Sequence, residues 1–154
     1  MIKAREIMST DVITLTPEMD FVTAAKILLD NRVNGAPVVD REDRLVGILC
    51  QSDLIAQQKR MPVPTLLTVL DSFIQLTSVK TIEKQVRKIA ALTVAEAMTP
   101  DPITVQPDTY IETIAALMVD SNLHTLPVIE DEKLVGIIGK EDVLKTLLPH
   151  KNHH

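Results

Sequence analysis

Leu45-Val46-Gly47-Ile48-Leu49-Cys50-Gln51-Ser52-Asp53 returns near the end of the chain as Leu134-Val135-Gly136-Ile137-Ile138-Gly139-Lys140-Glu141-Asp142. Each copy is an apolar run broken by one glycine, then a polar turn, then an amphipathic stretch opening on Asp. That order predicts a buried strand delivering the chain to a helix N-terminus, where backbone N–H groups and a short carboxylate are presented together. Two copies imply two related half-sites.

The likeness extends well upstream of the quoted stretch. Glu6, Met8, Asp11, Ile13-Thr14, Pro17, Thr23, Ala25, Asp30 and Pro37-Val38 each recur 90 positions later. One residue is then lost in the hairpin loop, and Leu45 to Ile48 match Leu134 to Ile137 as Asp53 matches Asp142. A fixed offset over this span marks an internal repeat.

Each unit reads β-α-β-β-α. In the first, Ala4–Met8 forms a helical turn and Val12–Leu15 a short strand. Pro17 suits the first turn of a helix over Met19–Asn31, and Gly35 its C-terminal turn. Ala36–Val39 and Leu45–Cys50 are strands around a polar loop at Asp40–Arg44, and Ser52 or Asp53 caps a helix running to about Lys59. The fold class is α/β in the broad sense (α+β). A unit of ~50 residues buries too little apolar surface alone, so the two repeats are expected to pack sheet to sheet about a pseudo-two-fold, with clefts at the seam.

The expected domains are residues 1–58 (first repeat), 59–93 (an insert), 94–148 (second repeat) and 149–154 (a polar tail). The insert opens with Pro62 and Pro64 and carries two helical patterns, Leu66–Leu76 and Thr81–Leu92. The first is apolar on more than one face, so it needs a cover from the module or from another subunit.

A net charge of −5 and three aromatic residues in all (Phe21, Phe73 and Tyr110) argue against a nucleic-acid surface. One cysteine, Cys50, excludes an intramolecular disulfide and fits a reducing compartment. The chain shows no signal peptide and no run approaching the ~20 apolar residues of a membrane span, so a cytoplasmic location is expected. Three of the four histidines (His150, His153 and His154) lie in the tail, and no metal-ligand cluster, nucleophile–base pair, P-loop or carboxylate dyad stands out. Neither a catalytic residue nor a metal site is assigned.

The repeat resembles the cystathionine-β-synthase (CBS) domain in its tandem-pair form. The resemblance rests on Glu6-Ile7-Met8 with Asp11 to Thr14, Gly35 to Asp40 and Leu45 to Asp53, matched by Glu96-Ala97-Met98 with Asp101 to Val105, Leu126 to Ile129 and Leu134 to Asp142. It implies a non-catalytic regulatory module with no required cofactor. Such a module binds AMP, ADP, ATP or S-adenosylmethionine between the repeats, forms a homodimer and signals to an effector protein. The alternative is a ligand-free dimerisation or interaction module with degenerate clefts.

The resemblance also implies site residues. Asp53 and Asp142 would accept hydrogen bonds from ribose hydroxyls, or serve only as helix N-caps. Ile13, Thr14, Thr104 and Val105 would line an adenine pocket. Ser52 could donate to a phosphate at its helix N-terminus, and His124 and Lys140 are candidate phosphate contacts. Cys50 and Gly139 stand where nucleotide-binding members carry Thr or Ser, a departure that weakens both sites. The half-sites are expected to be unequal, with phosphate better tolerated beside Ser52-Asp53 than beside Glu141-Asp142 unless His124 or Lys140 compensates.

Overall fold

The computed structural model describes residues 1–60 and 92–148. The two helices expected within the insert and the tail at 149–154 lie outside the described residues, apart from Leu92 at the end of the second helix. The first copy contains α1 (Ala4–Ile7), α2 (Phe21–Asp30), β1 (Gly35–Val39), β2 (Leu45–Cys50) and α3 (Gln51–Arg60). The second contains α4 (Val94–Ala97), β3 (Thr99–Pro100), α5 (Ile111–Asp120), β4 (Thr125–Glu130), β5 (Lys133–Gly139) and α6 (Lys140–Lys145). No helix among the described residues is long and apolar enough to cross a membrane.

The hairpins are antiparallel and carry the same register, Pro37 opposite Ile48 and Pro127 opposite Ile137. Both are irregular at the same place, between Val38 and Val39 and between Val128 and Ile129. Above β1 lies α2, whose buried Phe21, Ala24 and Leu28 fall at helical spacing. The helix begins after Asp20, whose carboxylate accepts the Thr23 N–H at 3.1 Å and the Thr23 hydroxyl at 2.7 Å. The hydroxyl first, and the N–H second, hold that carboxyl below its ordinary value.

Several local expectations need correction. The strand expected at Val12–Leu15 shrinks to one parallel bridge, Leu15 to Val38, matched by Val105 to Val128. The reason is that residues 9–13 are drawn away toward the other repeat. Pro17 precedes α2 by four residues rather than entering its first turn. The turn after α2 is made by Arg32 at φ 54°, with Asn122 at φ 52° after α5. Gly35 instead begins β1, where a Cβ would lie 2.9 Å from the Cys50 sulfur.

The larger departure concerns which residues make which core. Ala4 of α1 packs with Val105, Ile114, Leu126 and Ile138 of the second repeat. Val94 and Ala97 of α4 pack with Leu15, Phe21, Leu28 and Val38 of the first. The two copies therefore exchange their N-terminal segments. Leu92, assigned from sequence to the insert, is buried in the first repeat's core.

Backbone bonding follows the exchange. The Phe21 N–H donates to Leu92 O at 2.8 Å and the Ile111 N–H to Ile2 O at 2.9 Å, so the first N–H of each long helix is satisfied by the segment that enters from the other copy. In return the Ala4 N–H donates to Thr109 O and the Val94 N–H to Met19 O, both at 2.8 Å. The segments then pair with the opposite sheets. Thr99 and Pro100 lie against Ile48 and Gly47, making a three-stranded sheet, and Ser9 exchanges two 2.9 Å bonds with Ile137.

This contact explains the glycine inside each apolar run. A Cβ on Gly47 would stand 2.4 Å from the Met98 sulfur and 3.0 Å from Thr99 O. On Gly136 it would meet the Met8 sulfur at 2.6 Å and Ser9 O at 3.1 Å. Neither glycine has a positive φ, so close approach is the constraint. Gly47→Ala and Gly136→Ala are each expected to destabilise the protein by about 1–3 kcal/mol, read from urea unfolding. Met98→Ala should recover part of the Gly47→Ala loss in a double-mutant cycle. Strict additivity of the two changes would contradict the packing described.

Candidate functional site: two clefts at the seam

Because residues 9–13 and 99–103 cross between repeats, each lines a cleft walled by both copies. The first cleft, ≈230 Å³, takes Asp11 and Ile13 from one crossing segment, Arg32 and Asn34 from the turn after α2, and Lys140, Glu141 and Asp142 from the start of α6. The second, ≈550 Å³, takes Asp101 and Ile103 from the other crossing, Asn122 and His124 from the turn after α5, and Cys50, Gln51 and Ser52 from the start of α3. Almost every wall position in one is the repeat partner of a wall position in the other. Asn34, Thr125 and Lys140 border both.

The aspartates do not cap their helices from the N-cap position. Each is the third helical residue and reaches back, Asp53 Oδ2 accepting the Cys50 N–H and Asp142 Oδ2 the Gly139 N–H, both at 2.8 Å. The next donors are also used: the Gln51 N–H donates to Asn34 O at 2.9 Å and the Lys140 N–H to His124 O at 3.0 Å. These bonds tie the turn after each long helix to the start of the short one and hold the cleft walls together.

The second oxygens differ. Asp53 Oδ1 accepts the Thr99 hydroxyl at 3.0 Å. No described donor reaches Asp142 Oδ1, and Asp142 lines the first cleft whereas Asp53 is not part of the second cleft's wall.

The structure brings Ile13, Lys140 and Asp142 together in the first cleft, and Cys50, Ser52, His124 and Lys140 in the second. Thr14 lies apart, in a third cleft with Thr10, Val12 and Lys133. Val105 is buried in the second repeat's core, and the half-buried Thr104 lines neither seam cleft. His124 shares a cleft with Ser52 and not with Glu141, because the turn after α5 belongs to the opposite cleft. Glu141 instead shares its cleft with Arg32, and Lys140 stands between the two clefts.

Arg32, Asp11, Asp101 and Thr99 were not singled out from sequence. The fixed 90-residue offset pairs Arg32 with Asn122, Asp11 with Asp101 and Ser9 with Thr99, and that pairing was the available signal. Among the described residues no group of three or more His, Cys, Asp or Glu is placed to hold a metal.

Cys50 is half-buried with its sulfur over Gly35. Desolvation first, and the Asp53 carboxylate second, push its thiol up to about 11. The thiol is therefore protonated at neutral pH. Alkylation by iodoacetamide at pH 8 should run roughly a hundredfold slower in the native chain than in the urea-unfolded chain, where the thiol titrates near ~8.5. Equal rates would contradict this environment.

Comparison with known proteins agrees with the geometry. The CBS-domain family model matches twice, at residues 4–60 and 94–149. Protein MJ1426 of Methanocaldococcus jannaschii is 27% identical over 153 residues, covering 94% of this chain and 90% of that protein. The chloroplastic CBS domain-containing protein CBSX1 of Arabidopsis thaliana is 28% identical over 92% of this chain, which spans only 61% of it. Among solved structures, CBSX2 in complex with AMP superposes with a TM-score of 0.75 at 25% identity, covering 99% of this chain and 100% of that one. The CBS domain pair of MJ0100, in complex with 5′-methylthioadenosine and S-adenosyl-L-methionine, superposes with a TM-score of 0.68 at 26% identity, covering 96% and 100%. With two matched domains, exchanged segments and paired seam clefts, the chain belongs to the CBS-domain family and is a tandem CBS pair.

Proposed function

We propose that this CBS pair is a non-catalytic regulatory module that takes an adenosine-containing ligand in the first cleft. The observation that carries this reading is the Asp142 carboxylate, in the wall of a cleft lined by both repeats, with one oxygen accepting the Gly139 N–H and the other reached by no described donor. A ribose hydroxyl is a suitable donor for that oxygen. Ile13, Val12 and Ile137 offer the apolar surface a purine needs. The AMP complex of CBSX2 and the methylthioadenosine and S-adenosylmethionine complex of MJ0100 support the same ligand class.

The cleft's charges refine the choice. Asp11, Glu141 and Asp142 outnumber Arg32 and Lys140, so added phosphates meet net repulsion. At ≈230 Å³ the cleft lies below the roughly 300–1,000 Å³ of sites for drug-sized ligands, which also favours a nucleoside-sized occupant. AMP and S-adenosylmethionine should bind more tightly than ATP. A ligand touching both repeats would favour one arrangement of them by its differential affinity, and that shift is the signal an effector protein would read.

The same reading includes a homodimer. Leu29 on α2, Val119 on α5 and Leu147 after α6 are 63%, 78% and 78% exposed, an apolar surface that a second copy would cover.

Calorimetric titration with AMP, ADP, ATP and S-adenosylmethionine tests the ligand reading. Asp142→Ala should weaken binding about tenfold or more, the loss of a hydrogen bond to a charged group. Silence toward all of these ligands, or an Asp142→Ala variant indistinguishable from wild type, would overturn it. Sedimentation should show a dimer, and Leu29→Glu with Val119→Glu should shift it to monomer; a monomeric wild type would remove the dimer from this reading.

A further inference from the structure

The two clefts share a backbone plan but not a state. In the second, the Asp53 oxygen equivalent to the Asp142 oxygen that no described donor reaches already accepts the Thr99 hydroxyl at 3.0 Å. Asp53 is correspondingly missing from that cleft's wall, although Ser52 and Cys50 beside it are present. In the first cleft the position of Thr99 is taken by Ser9, whose hydroxyl makes no described bond to Asp142.

The difference has a side-chain cause. Thr99 and Ser9 are held alike, each paired by backbone to the Ile that follows the glycine of the opposite strand, Ile48 and Ile137. Thr is β-branched and confined at χ1, so its hydroxyl can be aimed by the strand itself. Ser rotates more freely at χ1, and both residues are exposed, so the branched shape and not burial distinguishes them.

We infer that Thr99 is an internal latch on the second cleft: its hydroxyl occupies the Asp53 oxygen that a ribose hydroxyl would need, leaving the first cleft alone ready for ligand. The latch is built from the exchanged segment, so it closes one repeat's half-site with a residue from the other. An entering nucleoside must displace a preformed hydrogen bond to a carboxylate before gaining its own, whereas at Asp142 it displaces only water. This inference rests on the adenosine-binding reading above and sets which of the two clefts is used.

Calorimetry of the full chain with AMP, and separately with adenosine, measures the number of sites. Wild type should bind one ligand per chain. Thr99→Val, which keeps the branched shape and removes only the hydroxyl, should bind two, and so should Thr99→Ala. Adding Asp53→Ala to Thr99→Val should return the count to one. Two comparable sites in wild type, or an unchanged single site in both Thr99 variants, would overturn the latch while leaving the binding reading intact. Silence of wild type and both variants toward either ligand would overturn the binding reading and the latch with it.

Discussion

The structure depends on the close crossing of each N-terminal segment over the other repeat's apolar strand. Met98 lies on Gly47 and Met8 on Gly136, at distances that leave no room for a Cβ. Once those crossings are made, α1 completes the second repeat's core and α4 the first's. The entering segments at Ile2 and Leu92 then accept the opening N–H groups of α5 and α2. Neither repeat has a finished core or a finished helix N-terminus without the other. Mutual dependence of this kind makes the pair one cooperative unit, not two small domains that touch.

The clefts are a geometric consequence of the same crossing. A chain that leaves α1 inside the second repeat must return to the first to place Leu15 beside Val38. Residues 9–13 make that return along the seam, and residues 99–103 do the same in reverse. Each return passes the start of a short helix on one side and the turn after a long helix on the other. The scaffold thus makes two equivalent hollows, and substitutions at matched positions make them unequal. Arg32 shares its cleft with Glu141 and Asp142, while His124 shares its cleft with Ser52 and Cys50.

Much of this was legible in the residues. The 90-residue offset exposed the repeat, and the apolar runs at Leu45–Cys50 and Leu134–Gly139 placed the strands almost to the residue. The exchange was not legible, because Ala4 and Val94 carry the same apolar pattern whichever core they enter. For the same reason Val12–Leu15 looked like a full strand: its β-branched residues suit a pleated surface, and tertiary routing decided otherwise. Asp53 and Asp142 stood out as functional ends of their strands, but whether a carboxylate oxygen is free or taken by Thr99 is a matter of distances across 46 residues of chain. Arg32 escapes a reading that gives the left-handed turn to Gly35, the residue type that favours it, because the helix ends at Asp30 and the turn falls on Arg32, three positions before Gly35.

The proposed ligand is held by both repeats at once, through the cleft that their exchange creates. An ¹H–¹⁵N spectrum recorded during AMP titration tests it directly. Amides of Ile13, Arg32 and Asn34 in the first copy and of Gly139 to Asp142 in the second should shift together along a single binding curve. Shifts confined to one copy, or separate curves for the two groups, would contradict a ligand that bridges the repeats.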